Sequence, residues 1–353
     1  MLADIARQPD VLTGLLARAD AIAGIGQRCL RPGPGGRVIV SGCGDGLFAG
    51  EAAAGFAAAA GLDWRAMGAL DLVLGAHRLT PHDRVLCISM SGNVDRTVEA
   101  ALAVHAAGVP LLALVNGAGG KLGGIAAEKL SLDLPDIAPF LCGTASYTAT
   151  VAALMLLAAG AGHGALPDLA SAAQAQRGAL ATCMASLKPV LTTPPTGVRL
   201  LSAGADHGTA RYGAAKLVEL SRLPAWAADL EEFAHSQYWS MPASDLVVMI
   251  AATPELAAYA EASCGALAGL PVTTLGIDTT DAPMPSATHR ITLPLVPPDL
   301  SPLVSAIPVQ LLAWHLAVLT GFDPDTRLHL KDDAARFTVS RQLTRRSLLG
   351  TGL

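Results

Sequence analysis

Val38-Ile39-Val40-Ser41-Gly42-Cys43-Gly44-Asp45-Gly46 has a counterpart half a chain later in Leu200-Leu201-Ser202-Ala203-Gly204-Ala205-Asp206. In each, a short unbroken apolar run ends in serine and a small-residue turn, and an Ala-rich stretch follows. Ser41 and Ser202 lie 161 positions apart, as do Asp45 and Asp206. The spacing persists further along. Asp83-Arg84-Val85-Leu86-Cys87-Ile88-Ser89 matches Asp245-Leu246-Val247-Val248-Met249-Ile250-Ala251 at an offset of 162. Val109-Pro110-Leu111-Leu112-Ala113-Leu114 matches Leu270-Pro271-Val272-Thr273-Thr274-Leu275, and Lys129-Leu130-Ser131-Leu132 matches Arg290-Ile291-Thr292-Leu293, both at 161. Four strand-like segments in one register point to an internal duplication with a period of about half the chain.

Helical stretches separate these runs, at 47–60, 95–107 and 144–159 in the first half and at 209–221, 254–268 and 302–319 in the second. Unbroken apolar strands alternating with helices indicate a parallel sheet covered on both faces. The expected fold class is therefore α/β, with two duplicated doubly wound parallel-sheet domains of flavodoxin-like order. Pro32-Gly33-Pro34-Gly35-Gly36 and Thr192-Thr193-Pro194-Pro195 mark where each sheet begins. This divides the chain into an N-terminal helical arm (1–35), a first domain (36–160), a helical connector (161–197), a second domain (198–340) and a C-terminal tail (341–353).

The totals fit that division. At 353 residues, two domains are the natural expectation, and 52% hydrophobic against 15% charged residues supply a large core. Aromatics make up only 4%, so Ala, Val, Leu and Gly do the packing. A net charge of −5 argues against a nucleic-acid partner, which requires a concentrated basic face. The basic run from Arg341 to Arg346 reads as a solvated tail. Met1-Leu2-Ala3-Asp4 lacks the charged and apolar regions of a secretory signal. The longest apolar stretch, 149–161, is too short to span a bilayer and is interrupted by Thr150 and Gly160. The six cysteines show no CxxC pair or metal-ligand spacing and read as small buried hydrophobes. The expectation is a reduced, cytoplasmic protein with no metal, no cofactor and no membrane partner.

In open α/β sheets, ligands bind beyond the carboxyl ends of strands, where the strand order reverses. Two loops of the first half carry suitable chemistry. One is Ser41-Gly42-Cys43-Gly44-Asp45-Gly46, leading into the helix at 47. The other is Ser89-Met90-Ser91-Gly92-Asn93, leading into the helix that begins near Asp95. Their glycines let the backbone approach an anion, the helix starts offer unpaired N–H groups, and Ser89 and Ser91 add hydroxyl donors. The anion expected is a phosphate. The alternative is a pair of serine-capped strand-to-helix turns with no ligand. No GxGxxG is present, so a dinucleotide is not favoured. The counterpart of the second loop, Ala251-Ala252-Thr253-Pro254, lacks the hydroxyls, and the anion is assigned to the first half.

The paired halves, the Gly42-Cys43-Gly44 loop and Ser89-Met90-Ser91-Gly92 followed by Thr97 resemble the tandem SIS (sugar isomerase) domain family. That family includes the isomerase half of glucosamine-6-phosphate synthase and the fructosamine-phosphate deglycases. Met1-Leu2-Ala3-Asp4-Ile5-Ala6-Arg7-Gln8-Pro9 is similar to its N-terminal arm. The resemblance implies a substrate-binding set of Gly44, Asp45, Ser89, Met90, Ser91, Gly92, Thr97 and Ser146, with Asp45 on a sugar hydroxyl. Lys216-Leu217-Val218-Glu219 matches the family's K-x-x-E helix, implying that Glu219 carries a proton between C1 and C2 of the open-chain sugar. His235, within Glu231-Glu232-Phe233-Ala234-His235, matches the ring-opening histidine, which in the synthase reaches a neighbouring subunit's site; a homodimer is thereby implied. Lys331, after Asp323-Pro324-Asp325-Thr326-Arg327, matches the family's imine-forming lysine, whereas an alignment on Phe337-Thr338-Val339 puts Arg336 there instead.

The residue chemistry suits these roles. Isomerisation needs one base at C1 and C2 and a second acid/base at the ring oxygen. Lys216 and Glu219 share one helix face; the alternative is a surface pair contributing about 0.3–0.5 kcal/mol. Trp226, Tyr238 and Trp239 read as core or rim. The sequence departs from the family pattern at Gly46 and Val94, where hydroxyl residues are usual, and at Ser236-Gln237, where Gly-Pro is usual. No glutaminase segment precedes the arm, so ammonia from glutamine is not expected from this chain. Two function classes remain open: isomerisation, or amino transfer or removal at C1 or C2, on a sugar phosphate; and non-catalytic sugar-phosphate-binding regulation. In the first, the 89–92 turn and Glu219 are expected to serve one ligand.

Overall fold

Strands form where the apolar runs predict them, and at two further places. In the computed structural model, which describes residues 1–138, 141–189 and 191–344, the first half carries β1 (Val38–Gly42), β2 (Trp64–Gly68), β3 (Arg84–Ile88), β4 (Leu111–Val115) and β5 (Glu128–Ser131). The second half carries β6 (Val198–Ser202), β7 (Ala225–Asp229), β8 (Leu246–Ala251), β9 (Thr273–Asp278) and β10 (His289–Thr292). Two five-stranded sheets result, ordered β2-β1-β3-β4-β5 and β7-β6-β8-β9-β10. Every pairing is parallel. This is the doubly wound order expected, and it reverses beside β1 in one sheet and beside β6 in the other.

The central strands are buried along their whole length, as continuous Val/Ile/Leu runs covered on both faces must be: β1, β4, β6 and β8 show no exposed residue. β2 and β7 were not anticipated, for a physical reason. Both are edge strands, half exposed. Trp64-Arg65-Ala66-Met67-Gly68 is interrupted by an arginine that pairs with Asp63, and Ala225-Trp226-Ala227-Ala228-Asp229 has a helical composition.

The two sheets share more than their order. At the start of β3, the Asp83 carboxylate accepts from Arg37 Nε at 3.0 Å, and the Arg37 guanidinium also donates to the Arg78 carbonyl at 3.3 Å. In the other sheet, Asp245 accepts from Arg199 Nε at 3.0 Å, and Arg199 donates to the Ser240 carbonyl at 3.0 Å. Arg37 and Asp83 recur as Arg199 and Asp245, 162 positions later, and the carbonyl acceptors at Arg78 and Ser240 keep the same spacing. The second pair is fully enclosed, with Arg199 also lying 4.3 Å over the Trp226 ring. Charges at that depth are tolerated because both partners are hydrogen-bonded as well as paired.

The chain forms two compact units. One comprises Met1–Thr13, Ile137–Thr148 and Asp168–Arg327; the other comprises Gly14–Asp136, Ala149–Pro167 and Leu328–Leu353. In the first unit, the helix Ser301–Leu319 packs against Asp206–Ser221 and Leu169–Leu187. It approaches Asp206–Ser221 so closely that a Cβ on Gly213 would sit 2.3 Å from Val309 Cγ1. The segment Pro298–Leu319 is long and apolar enough to cross a membrane, but 78% of its apolar window is buried inside the protein, where it serves as a core helix. The first-half helix read at 47–60 is two pieces, Asp45–Ala52 and Ala54–Ala59, and takes in Asp45 and Gly46. The arm is helical at Leu2–Ala6, Gln8–Leu16 and Ala19–Cys29. Arg341 lies in the helix Ala334–Thr344, while the rest of the 341–353 tail from 345 onward, including Arg345 and Arg346, falls outside the described residues.

Candidate functional site

In the unit built on the first sheet, the two glycine-rich turns stand side by side, because β1 and β3 are neighbours paired Gly42 to Ile88. The 89–92 turn is tight. Gly92 N donates to the Ser89 carbonyl at 3.0 Å, and Asn116 N donates to the Met90 carbonyl at 2.9 Å. Gly92 has φ +66°, and a Cβ there would fall 1.7 Å from the Gly119 carbonyl oxygen; only glycine fits. Asn93 braces the turn, taking Lys121 N on its side-chain oxygen and donating its amide to the Ser91 carbonyl.

Two hydroxyls at this end of the sheet are buried without a hydrogen-bond partner among the described residues. Ser41 Oγ is one and Ser89 Oγ the other. A buried polar group without a partner is costly and calls for a reason. Ser91 is exposed, its hydroxyl accepting from Asn93 N at 3.2 Å. Thr97, buried on the helix Asp95–Ala106, has its hydroxyl 3.7 Å from Cys43 Sγ and so ties the second turn's helix to the first turn. Gly44, at φ +56°, precedes the helix that Asp45 opens. Gly46 and Val94, the departures noted above, sit respectively inside that helix and immediately before Asp95, neither offering a hydroxyl.

In the other unit, the helix Asp206–Ser221 follows β6 and carries Lys216 and Glu219 one turn apart. Lys216 Nζ donates to Glu219 Oε2 at 2.8 Å. The other carboxylate oxygen accepts from Arg327 Nη1, and Arg327 Nη2 donates to the Leu141 carbonyl at 3.1 Å. Cys142 Sγ lies 3.8 Å from Oε2. Burial works to raise the Glu219 pKa, yet the charges of Lys216 and Arg327 and the hydrogen bonds they donate outweigh it and hold the carboxyl below its ordinary value. The Lys216 ammonium lies 5.5 Å from the Tyr212 ring centroid; Tyr212 stacks on Tyr147 at 3.8 Å and donates its hydroxyl to the Gly143 carbonyl at 2.8 Å. The 141–144 segment is thereby fastened beside Glu219. A carboxylate between two cations can accept a proton only against their charge, while the cations can stabilise negative charge developing on a nearby oxygen.

The remaining candidates are dispersed. His235 ends the helix Leu230–His235 with its side chain 68% exposed and Nε2 2.9 Å from Glu231 Oε1, whose other oxygen takes the Tyr259 hydroxyl. Ser146 is the second residue of Ala145–Ala161. Lys331 is exposed on Leu328–Asp332, and Arg336 pairs with Asp333. Trp226 packs under Arg199, whereas Trp239 stands open to solvent. Arg327, Cys142 and Tyr212 were not singled out from the sequence. The available signal for Arg327 was the Asp323-Pro324-Asp325-Thr326 turn before it, whose hydrogen bonds present the arginine.

Comparison with known proteins bears on the fold and the family. The model of the SIS domain matches residues 198–320. The glutamine–fructose-6-phosphate aminotransferase (isomerizing) of Sphingobium yanoikuyae is 33% identical over 137 residues, which are 37% of this chain and 86% of that protein. The enzyme of the same description from Pyrococcus horikoshii is 29% identical over 270 residues, 68% of this chain but only 42% of that longer relative. Among solved structures, the C-terminal domain of glucosamine-fructose-6-phosphate aminotransferase from Francisella tularensis shares the fold, with a TM-score of 0.81 at 17% identity over 92% of this chain and 97% of that one. With two parallel five-stranded sheets of the same order and these relatives, the chain belongs to the SIS (sugar isomerase) domain family.

Proposed function

We propose that the protein is an aldose–ketose isomerase-type enzyme acting on a sugar phosphate or amino sugar phosphate. Glu219 takes the proton from one of C1 and C2 of the open-chain sugar and returns it to the other, while the hydroxyl proton passes between O1 and O2, so the proton balance closes without a co-reactant. Lys216 and Arg327 offset the negative charge of the enediolate oxygen that forms in between. The Ser89-Met90-Ser91-Gly92 turn, with Ser41, Gly44 and Thr97 beside it, takes the phosphate. His235 serves ring opening from its exposed position, in a homodimer. Ser146 and Asp45 are assigned to sugar hydroxyls, and Lys331 to an imine if the reaction moves an amino group. The observation that carries the reading is Glu219 held ionised between Lys216 and Arg327 on the helix that follows the first strand of the second sheet.

The test has two arms. A thermal-shift screen sets hexose, hexosamine and fructosamine phosphates beside their unphosphorylated forms, and stabilisation is expected with the phosphates. Selective stabilisation by unphosphorylated sugars would remove the phosphate turn from the reading. Turnover is then compared between wild type and Glu219→Gln on every compound that binds, and the variant is expected to be inactive. A regulatory role is the second reading, favoured by the missing hydroxyls at Gly46 and Val94. It gains the case if phosphates bind and neither form turns any of them over.

A further inference from the structure

The segment after the core helix makes a specific contact with Glu219. Asp323 closes the turn: its carboxylate accepts from Asp325 N at 2.9 Å and from the Thr326 hydroxyl at 2.7 Å, and its carbonyl accepts from Arg327 N at 3.1 Å. Arg327 itself is held at φ +52°, a left-handed conformation that a non-glycine residue adopts only when its surroundings impose it. Its planar guanidinium then spans two acceptors, Glu219 Oε1 and the Leu141 carbonyl, which fixes the plane as well as the position of the charge.

We propose that Arg327 is a positioning residue for Glu219, presented by the 323–327 turn so that the carboxylate stays ionised and aimed, and that the pH at which the site becomes competent is set by this arginine. The proposal rests on the assignment of Glu219 as proton carrier. Lys216, the other cation on Glu219, comes from the same helix and moves with it. Arg327 comes from a separate segment, and no helical geometry obliges it to be there. Cys142 approaches the Lys216 side of the carboxylate from the 141–144 segment. The helix Ser301–Leu319, packed against Asp206–Ser221, sends its imidazole, His315, to the Leu191 carbonyl at 3.0 Å, and its Ser301 and Ser305 hydroxyls to Asp206 at the far end of the Glu219 helix. The control on Glu219 is therefore assigned to the Lys216–Arg327 pair, of which Arg327 is the separable member.

The experiment reads Glu219 directly. The full chain is labelled with glutamate carrying ¹³C at the side-chain carboxyl, the Glu219 signal is assigned by its loss in Glu219→Gln, and the carboxyl is titrated in wild type, Arg327→Ala and Arg327→Lys. A cation within a few ångströms lowers a carboxyl by about 1–3 pH units, so Arg327→Ala is expected to raise the midpoint by about that amount and Arg327→Lys to restore most of it. Arg327→Met, which keeps the aliphatic stem, replaces the alanine variant if circular dichroism shows that one unfolded. An unchanged midpoint in a folded variant overturns the proposal. The acid limb of the pH–rate profile for sugar-phosphate turnover is expected to move with the midpoint, and a raised midpoint with an unmoved limb overturns it equally. If wild type turns over no sugar phosphate, the proposed function fails, and the carboxyl titration still decides what Arg327 does.

Discussion

Asp206 provides a prediction whose size follows from its surroundings. It opens the helix Asp206–Ser221, is fully buried, and is met by the Ser301 hydroxyl at 2.6 Å and the Ser305 hydroxyl at 2.5 Å. Burial pushes its carboxyl up to about 6, against which the two serine donors pull only partly. The unfolded value is about 3.9, so the folded state holds the proton some two units more tightly, or about 3 kcal/mol at 1.36 kcal/mol per unit. The sign follows from the raised folded value. Stability from this group is complete below about pH 4 and is lost as pH rises through about 6, because the buried charge must then be formed. Asparagine keeps the shape without that charge. Thermal unfolding of wild type and Asp206→Asn, compared from about pH 4 to pH 8, should show a gap that opens in favour of the variant as pH rises through about 6, reaching up to about 3 kcal/mol. A gap independent of pH, or a variant that loses ground above pH 6, would refute the reasoning.

Three further outcomes can be checked on the same apparatus. Arg199→Ala leaves Asp245 buried and unpaired and should destabilise by about 3–5 kcal/mol in denaturant unfolding, more than Arg37→Ala, whose arginine is partly exposed. Asp83 is held well below the usual carboxylate range, chiefly by the Arg37 hydrogen bond; its contribution is present above pH 4 and is lost on acidification, so Asp83→Asn should flatten the acid end of the stability curve. Gly92→Ala meets both a left-handed backbone and the Gly119 carbonyl, so it should lower the melting temperature and gain no extra stabilisation from any sugar phosphate that stabilises wild type. An alanine variant with the wild-type melting point and the same response would contradict the role given to that turn.

The parts of this fold that were readable from sequence are those where burial dictates composition. β1, β3, β4, β6, β8 and β9 are enclosed and therefore mostly apolar, with Arg199 of β6 an ion-paired exception, and their spacing exposes the duplication. β2 and β7 hid because edge strands are free to carry Arg65 or a run of alanines. The turn at 89–92 was legible because glycine and serine have few other reasons to stand together after a buried strand. Side-chain partners between distant segments were not. Nothing in the spacing of Glu219 and Arg327 indicates that one guanidinium spans Glu219 and the Leu141 carbonyl, since that contact depends on a turn geometry set by Asp323. Nor does the sequence reveal that Asp206, which aligns with Asp45, is enclosed by two serines of a helix almost a hundred residues away.

The central claim is proton movement by Glu219, and solvent exchange measures it most directly. Fructose 6-phosphate and glucose 6-phosphate, with their amino counterparts, are incubated with the protein in deuterium oxide and followed by proton NMR at C1 and C2. Wild type is expected to place deuterium at the receiving carbon whenever the Glu219 carboxyl exchanges with solvent before the return, and Glu219→Gln to give neither deuterium nor isomerised product. Exchange or isomerisation at the same rate in both forms, or neither with any sugar phosphate that binds, would contradict it.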